Sequence, residues 1–264
     1  MLSNQQINQF HTFGFLVFRN VFNQDELKKI NDEFELAMDS AYNHDPFDGS
    51  RRHWLPMMSS ETPFFSNLPE DPRFCNVAEQ LYGNDVYCIV SDANRYVGNT
   101  GWHPDHNADP KKDCFGVKFA YYLEQVNSET GALRIIPGSH KNPLHNDLHE
   151  NMSQFGLDIC NVPSYVCSSN PGDVVAFDLR CWHASWGGME DRRMCTIVYY
   201  SNPMTLEEEA ATRNRAKSSA NTPKQFNLLD NPIYHPDWIA NPSGSKKREY
   251  WINRLTELGF CETE

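Results

Sequence analysis

The sequence predicts a mainly β fold with flanking helices, organised as a single domain over residues 1–264. Short segments rich in β-branched and aromatic residues follow one another between turn signals, a pattern typical of an antiparallel sandwich or barrel. Barrels and sandwiches often use a chain of this length as one unit. We therefore expect N-terminal helical support over 1–82, a β core over about 84–201 and a C-terminal helical extension over 202–264.

The N-terminal region contains two helices with clear start signals. Ser3 and Gln6 form a capping box for a short helix that ends at Gly14, and a strand is expected over residues 15–19. Asn23 caps a longer helix, which should brace the core rather than take part in catalysis. Its predicted buried stripe consists of Leu27, Ile30, Phe34, Met38 and Ala41.

The middle of the chain carries the predicted strands. Residues 43–70 are polar, aromatic and interrupted by proline, so we expect a long loop, and residues 71–82 predict a helix. Runs of β-branched and aromatic residues then predict strands over 84–97, 115–125, 132–136, 164–167, 173–178, 181–186 and 193–200.

The C-terminal extension is polar and charged. It predicts a helix at 207–210, a loop at 218–223 and a final helix at 246–258. The charged runs are expected to be solvated faces, with a homodimer contact as the alternative that the sequence leaves open.

The overall charge limits the classes of partner. Acidic side chains outnumber basic ones by 35 to 23, and the formal net charge of −12 repels nucleic acid and anionic membrane surfaces. No stretch approaches the ~20 apolar residues of a membrane span, and no secretion signal is visible. The eight cysteines are scattered singly, as expected for buried thiols in a reducing compartment. We expect a cytoplasmic protein that acts on a small molecule.

Candidate metal ligands lie in the segment GWHPDH at residues 101–106. His103 and Asp105 point the same way if this segment is extended, whereas His106 points away. His183, which follows a predicted buried strand, would be the third ligand. Two imidazoles and one carboxylate on one face of a ferrous ion leave three sites for co-substrate and O2. An H-x-D tripeptide taken alone is also compatible with an unengaged surface turn.

Two arginines, Arg192 and Arg193, begin the strand that follows His183. Because 2-oxoglutarate chelates iron through its 2-oxo acid end, its far carboxylate is free to take a bidentate salt bridge from arginine. Only one of the two can enter the site, since successive strand residues face opposite ways. Ser185 could donate a further hydrogen bond. Lys118 is another candidate for this carboxylate if its face of the strand is interior, and otherwise is solvated.

Several motifs together resemble the phytanoyl-CoA dioxygenase family of Fe(II)/2-oxoglutarate oxygenases, over roughly residues 3–201. Besides the H-x-D motif, TGALRIIPGSH at 130–140 is similar to the family's G-x-L-x-x-I-P-G-S-H signature, and FHTFGFLVF at 10–18 to its N-terminal helix-strand unit. The resemblance implies a double-stranded β-helix core, a jelly roll of the cupin-like type. It also implies Fe(II), 2-oxoglutarate and O2 as cofactor and co-substrates, with the metal ligands His103, Asp105 and His183.

The resemblance also assigns the co-substrate residues. Ser185 lies two residues past the distal histidine, as in the family pattern, and an arginine at the head of the next strand binds 2-oxoglutarate. Alignment of the strand end favours Arg192, with Arg193 as the second candidate. The intervening loop departs from the pattern, because Gly187-Gly188 replaces the asparagine often found there.

Candidate substrate residues flank these motifs. Arg51 and Arg52 lie in the long early loop, and we hypothesise that one of them holds an anionic group of the substrate. Trp102 and Trp186 bracket the ligands and could wall the pocket, with core packing as the equal alternative. The aromatic residues form no single apolar stripe, so we expect a small polar metabolite rather than a long acyl chain.

The expected reaction is hydroxylation of an unactivated C–H bond, or a related oxidation, with release of succinate and CO2. The resemblance implies that halogenating relatives need a small residue at position 105 to admit chloride, whereas this chain has a carboxylate. Two alternatives stay open at this point. One is a cupin-like metal-dependent lyase or isomerase, and the other is a non-catalytic metabolite-binding protein on the same scaffold.

Overall fold

The computed structural model describes residues 1–188, 190–228, 231–242 and 245–261. Its strands form two antiparallel sheets that enclose a shared interior, the arrangement of a jelly roll. In chain order the strands are β1 Phe15–Phe18, β2 His53–Pro56, β3 Tyr87–Tyr96, β4 Thr100–His103, β5 Gly116–Tyr122, β6 Leu133–Ile135, β7 Tyr165–Val166, β8 Val174–Asp178, β9 His183–Ser185 and β10 Arg192–Tyr200.

The order of strands determines which residues meet. The larger sheet has the order β1-β8-β5-β10-β3-β2, and the smaller has the order β4-β9-β6-β7. In the smaller sheet His103 is paired directly with His183, and Leu133 with Ser185. Two histidines that are far apart in the sequence are therefore neighbours because of strand register.

Two apolar layers cover the faces of the larger sheet. The inner layer joins both sheets and includes Ala120 and Phe177 from the larger sheet and Leu133 from the smaller one. The outer layer lies under the N-terminal helices, where Ile197 and Phe34 are completely buried. Because side chains alternate along a strand, polar groups on the inner face of the larger sheet point toward the space between the sheets.

The helices surround this sandwich. In chain order they are α1 Asn4–Phe13, α2 Gln24–Ala41, α3 Pro63–Asn67, α4 Cys75–Tyr82, α5 Leu144–Asn151, α6 Leu206–Ser219, α7 Thr222–Gln225, α8 Pro236–Ala240 and α9 Lys246–Leu258. Both predicted capping boxes, at Ser3 and Asn23, are present. Within the part of the chain described, no helix combines the length and apolar character needed to cross a bilayer.

Some element predictions were wrong. The expected loop over 43–70 contains β2 and α3, and neither β4 nor α5 was predicted. The predicted helix over 71–82 begins only at Cys75, and the predicted loop over 218–223 is largely helical. β2 is a strand because four of its residues pair with β3, a non-local interaction that local composition does not reveal. Residues 229–230, 243–244 and 262–264 of the predicted extension lie outside the described residues.

Candidate metal centre and adjoining cavities

Three side chains that could ligate a metal converge between the sheets. His103 ends β4, Asp105 lies in the turn that follows, and His183 begins β9. One ligand atom from each lies within 4.8 Å of the others, and the two imidazole centroids are 4.4 Å apart. The turn is held by the backbone N–H of Asp105, which donates to the carbonyl oxygen of Leu179 at 3.0 Å. We name these three residues the triad.

Hydrogen bonds to backbone carbonyls decide which nitrogen of each histidine is available. His103 Nδ1 lies 2.8 Å from the carbonyl oxygen of Gly101, and His183 Nδ1 lies 2.9 Å from that of Cys181. A carbonyl oxygen can only accept, so each Nδ1 carries the proton and each Nε2 presents a lone pair. Burial lowers the pKa of His183 to about 4, which keeps its imidazole neutral at neutral pH. This donor set fits a divalent metal with vacant coordination sites.

Lys118 contacts the carboxylate of the triad. Its Nζ donates to Asp105 Oδ2 at 2.7 Å, while Asp105 Oδ1 faces His183 Nε2 at 3.9 Å. Burial alone would raise the pKa of Asp105, but the charge and hydrogen bond of Lys118 outweigh it and hold that pKa well below its usual range. The carboxylate is therefore ionised, with one oxygen bound to lysine and the other turned toward the histidines.

Arg192 is a buried guanidinium in the same cavity as the triad. Arg192 is only 2% exposed. Its Nη2 donates to Ser185 Oγ at 3.0 Å, and its Nη1 donates to the carbonyl oxygen of Gly98 at 3.3 Å. Within the described residues, its Nε has no hydrogen-bond partner and no carboxylate forms an ion pair with its guanidinium. A buried charge without a counter-ion is costly, so this arrangement fits a carboxylate ligand.

Two glycines make room for the Arg192 side chain. A Cβ atom on Gly131, whose φ is +84°, would collide with the guanidinium, and one on Gly188 would meet Nη1 and the carbonyl oxygen of Gly98. Gly131 belongs to the G-x-L motif, and Gly188 to the loop that departs from the family pattern. Glycine is therefore required at both positions, because any larger residue would occupy space that the Arg192 side chain fills.

The other candidate arginines lie elsewhere. Arg193 faces the opposite side of β10, where its Nη1 donates to Glu35 at 2.8 Å and its Nε to Glu124 at 3.3 Å. Arg51 is paired with Asp45. Neither Arg193 nor Arg51 is among the residues that line the cavity around the triad.

The candidate tryptophans also lie outside this cavity lining. Trp102 Nε1 donates to the carbonyl oxygen of Ile159 at 3.3 Å, and its ring packs against a separate apolar cluster around Trp182. Trp186 is half-buried. The packing of Trp102 agrees with the core alternative given for it above.

Two cavities meet at Asp105 and Lys118. The first, here named the triad cavity, has a volume of about 120 Å³ and is lined by the triad together with Arg52, Tyr96, Lys118, Ser185 and Arg192. The second, here named the extension cavity, has a volume of about 440 Å³ and lies between the larger sheet and the C-terminal extension. Its lining also includes Trp54, Asp92, Tyr200, Arg215, Ser218 and Gln225.

The sequence interpretation missed several residues of this region. Asp92, Asn94 and Tyr96 alternate along β3 and share the face that looks toward the interior. The signal was present, because a buried strand with acidic and amide residues at every second position is unusual. His106 is not part of the triad, as expected, and is buried, with Nδ1 2.6 Å from the carbonyl oxygen of Cys114 and Nε2 3.1 Å from Tyr200 Oη.

Comparison with known proteins identifies the family. The model of the family described as phytanoyl-CoA dioxygenase matches residues 10–194. An ectoine dioxygenase of Stutzerimonas stutzeri is 26% identical over 243 residues, which is 76% of this chain and 77% of that protein. An L-proline trans-4-hydroxylase of Streptomyces griseoviridis is 34% identical over 76 residues, 26% of this chain and 28% of that one.

Solved structures share the fold. HygX from Streptomyces hygroscopicus, crystallised with nickel and 2-oxoglutarate, superimposes with a TM-score of 0.62 at 20% identity, covering 78% of this chain and 90% of that one. EctD from S. alaskensis, crystallised with 2-oxoglutarate and 5-hydroxyectoine, gives 0.58 at 21% identity and covers 76% of each chain. The family model spans most of the chain and includes the triad, and this protein therefore belongs to the phytanoyl-CoA dioxygenase family and is a dioxygenase.

Proposed function

We propose that this dioxygenase uses Fe(II), 2-oxoglutarate and O2 to hydroxylate, or otherwise oxidise, an unactivated C–H bond of a small metabolite, with release of succinate and CO2. The relatives support this class, since two of them are named for action on ectoine and on L-proline. Solved structures of the same fold hold 2-oxoglutarate, one with nickel and one with 5-hydroxyectoine.

The observation that carries the proposal is the buried, unpaired Arg192 in the cavity of the triad. A metal site for a lyase or isomerase needs the triad but has no use for a desolvated guanidinium beside it. A dicarboxylate co-substrate needs both, because one end must reach the metal and the other must find a counter-charge. The hydroxyl of Ser185 lies 3.0 Å from Arg192 Nη2, which supports a role for it in binding the same distal carboxylate.

Each residue of the site would have a separate role in binding the metal or orienting its ligands. His103, Asp105 and His183 hold the metal, and Lys118 fixes the rotation of the Asp105 carboxylate. Bound iron supplies the redox chemistry with O2 and 2-oxoglutarate. The protein contributes position and the exclusion of water, the latter through apolar residues of the triad cavity: Tyr122, Leu133, Phe177 and Met194.

Anaerobic addition of Fe(II) and 2-oxoglutarate tests the proposal directly. Chelation of ferrous iron by a 2-oxo acid gives a visible charge-transfer band, which we expect for the unmodified protein. Arg192→Met should require a much higher 2-oxoglutarate concentration to reach the same intensity. A metal-binding lyase, isomerase or non-catalytic protein would give no band at any concentration, and that result would refute the proposal.

The retained carboxylate at Asp105 favours hydroxylation, or a related hydrogen-abstraction outcome such as desaturation, over halogenation. Mass spectrometry of the product distinguishes these outcomes. A gain of one oxygen atom indicates hydroxylation and a loss of two hydrogen atoms indicates desaturation. Incorporation of chloride in chloride-containing buffer would contradict the expectation.

A further inference from the structure

The carboxylate of Asp92 lines the extension cavity and forms no ion pair within the described residues. Asp92 is buried, and its oxygens accept from Trp54 Nε1 at 3.0 Å, Thr196 Oγ1 at 2.9 Å and Asn94 Nδ2 at 2.9 Å. All three partners are neutral donors, so the carboxyl group acts only as an acceptor, which is the behaviour of its ionised form. No lysine, arginine or histidine within the described residues forms an ion pair with Asp92.

The other charged groups that line this cavity are already paired. Lys118 is bound to Asp105 at 2.7 Å, and the guanidinium of Arg215 is bound to Asp113. Among the described residues, Asp92 is thus the charged group of this lining that forms no ion pair, although the charges of Lys118 and Arg52 act on it from beyond ion-pair distance. Burial raises the pKa of Asp92 above its ordinary value, which expresses the same cost of a desolvated charge. A cationic ligand would remove that cost.

A second unpaired charge lies beside it on the same sheet face. Arg52 lines the triad cavity, and no carboxylate within the described residues forms an ion pair with it. Its guanidinium stacks on Tyr96, 4.0 Å from the ring centroid, and its Nη2 donates to Asn94 Oδ1 at 2.5 Å. Asn94 therefore turns its oxygen to the arginine and its amide nitrogen to Asp92.

The Asn94 bridge separates two opposite charges by the width of one amide group. A neutral spacer holds Arg52 and Asp92 apart, so that they do not cancel each other in a direct salt bridge. Arg52 lines the triad cavity and Asp92 the extension cavity, and the Asp105–Lys118 pair lines both. A volume of about 440 Å³ is in the range of small-molecule sites.

From this arrangement we infer that the substrate is a small zwitterion, whose cationic group binds Asp92 and whose anionic group binds Arg52. This inference rests on the proposed function, because it names the substrate class of the same active site. The C-terminal extension forms one wall of this site. Phe226 of that extension packs on Trp54, with ring centroids 5.5 Å apart, and lies 5.0 Å below the Arg52 guanidinium.

The test compares compounds that differ only in charge. L-Proline and ectoine are the zwitterionic probes, with tetrahydrofuran-2-carboxylate as an analogue that lacks the cation and pyrrolidine as one that lacks the carboxylate. A wider library of metabolites is sorted into the same three charge classes. Binding is measured by calorimetry on protein loaded with Ni(II) and 2-oxoglutarate, and turnover is measured as succinate formed above the uncoupled rate with Fe(II).

We expect binding to be confined to zwitterions, with a loss of about tenfold or more when the cationic group is removed. In Asp92→Asn this discrimination should shrink to about twofold, because the charge that recognises the cation is gone. Asp173→Asn is the matched control, since Asp173 is another buried aspartate and lines neither cavity. If Asp92→Asn fails to fold, Arg52→Gln provides the second test by losing discrimination against pyrrolidine-type amines.

The outcomes separate this inference from the proposed function. Turnover of a compound without a cationic group would support the proposed oxygenase activity and contradict the inference that the substrate is a zwitterion. Binding of a zwitterion without any formation of succinate would support the inferred substrate class and contradict the proposed oxygenase activity. Undiminished discrimination in Asp92→Asn, or no binding by any of the three classes, would overturn the inference.

Discussion

Lys118 Nζ and Asp105 Oδ2 are joined by a hydrogen bond of 2.7 Å, while the second oxygen of that carboxylate faces His183. The two oxygens thus have separate partners. Lys118 occupies one and fixes the rotation of the carboxylate, and the other remains directed at the histidine nitrogens. Groups that hydrogen-bond to a metal ligand set its orientation and basicity. Lys118 is therefore a positioning residue for the proposed metal site.

Lys118→Met should weaken metal binding by about 10- to 100-fold, which is the usual cost of losing such a supporting hydrogen bond. Competition with a chelating indicator measures the affinity at neutral pH. Lys118→Arg keeps the positive charge and the hydrogen-bond donor, so its loss of metal affinity should be smaller. Equal affinity for the methionine variant and the unmodified protein would show that Asp105 is held by other contacts.

Arg192→Met should raise the KM for 2-oxoglutarate by about 100-fold, because the bound carboxylate would then be buried without a counter-ion. Steady-state succinate formation measures this effect. Arg193→Met is the matched control, since Arg193 forms its ion pairs with Glu35 and Glu124 on the other face of the same strand. A larger KM change in the Arg193 variant than in the Arg192 variant would reverse the assignment.

Gly131→Ala should both destabilise the protein and weaken 2-oxoglutarate binding. The backbone at φ +84° costs alanine about 1–2 kcal/mol, and the added methyl group collides with the Arg192 guanidinium. Gly259→Ala separates the two effects, because Gly259 has the same φ but open space around its Cβ position. Denaturant unfolding should show a lower free energy of unfolding for both variants. The KM for 2-oxoglutarate should change only in Gly131→Ala. Equal KM values in the two variants would exclude the collision with Arg192.

Asp178 should contribute stability that disappears in acid. Burial alone would raise its pKa, but hydrogen bonds from Arg180 and Tyr82 outweigh it, and the folded-state pKa lies below the ordinary value. A carboxyl group of this kind stabilises the fold at a pH above its unfolded-state pKa, about 3.9, and loses that effect as the pH falls through the lower folded-state value.

The comparison of Asp178→Asn with the unmodified protein tests this dependence. The difference in unfolding free energy should be largest near neutral pH and should shrink progressively at a pH below about 3.9. Urea unfolding at several pH values provides the measurement. A difference that stays constant down to acid pH would mean that the ionised form of Asp178 has no special role in stability.

The sequence predicted the parts of the molecule that depend on local chemistry. Capping boxes at Ser3 and Asn23 were predicted because they are local hydrogen-bond patterns, and the two helices begin where expected. The convergence of His103, Asp105 and His183 was predicted because these residue types suit one metal and lie near strand ends. The jelly-roll fold was predicted from the spacing of short strands together with the family resemblance, and it is confirmed.

Features that depend on distant partners were not predicted. β2 is a strand only because β3 pairs with it. The helix predicted at 207–210 is present but longer, because α6 continues to Ser219 with few buried residues and so has no apolar period that indicates its length. The role of Lys118 depended on the register of β5, since only that register directs its ammonium to Asp105. Asp92 and Asn94 were not predicted as site residues, although their alternation along β3 indicates a polar inward face.

The match to the family ends at residue 194, whereas one wall of the extension cavity is formed by later residues that include Arg215, Ser218, Gln225 and Phe260. Arg52 and Asp92, the residues proposed to recognise charge, lie within the family match. The charge of the accepted compound and the shape of the space around it would then be set by different stretches of polypeptide. A relative could keep the same charge preference and still accept a larger or smaller molecule after changes in its last quarter, and exchange of this C-terminal portion between relatives would show whether size preference moves with it.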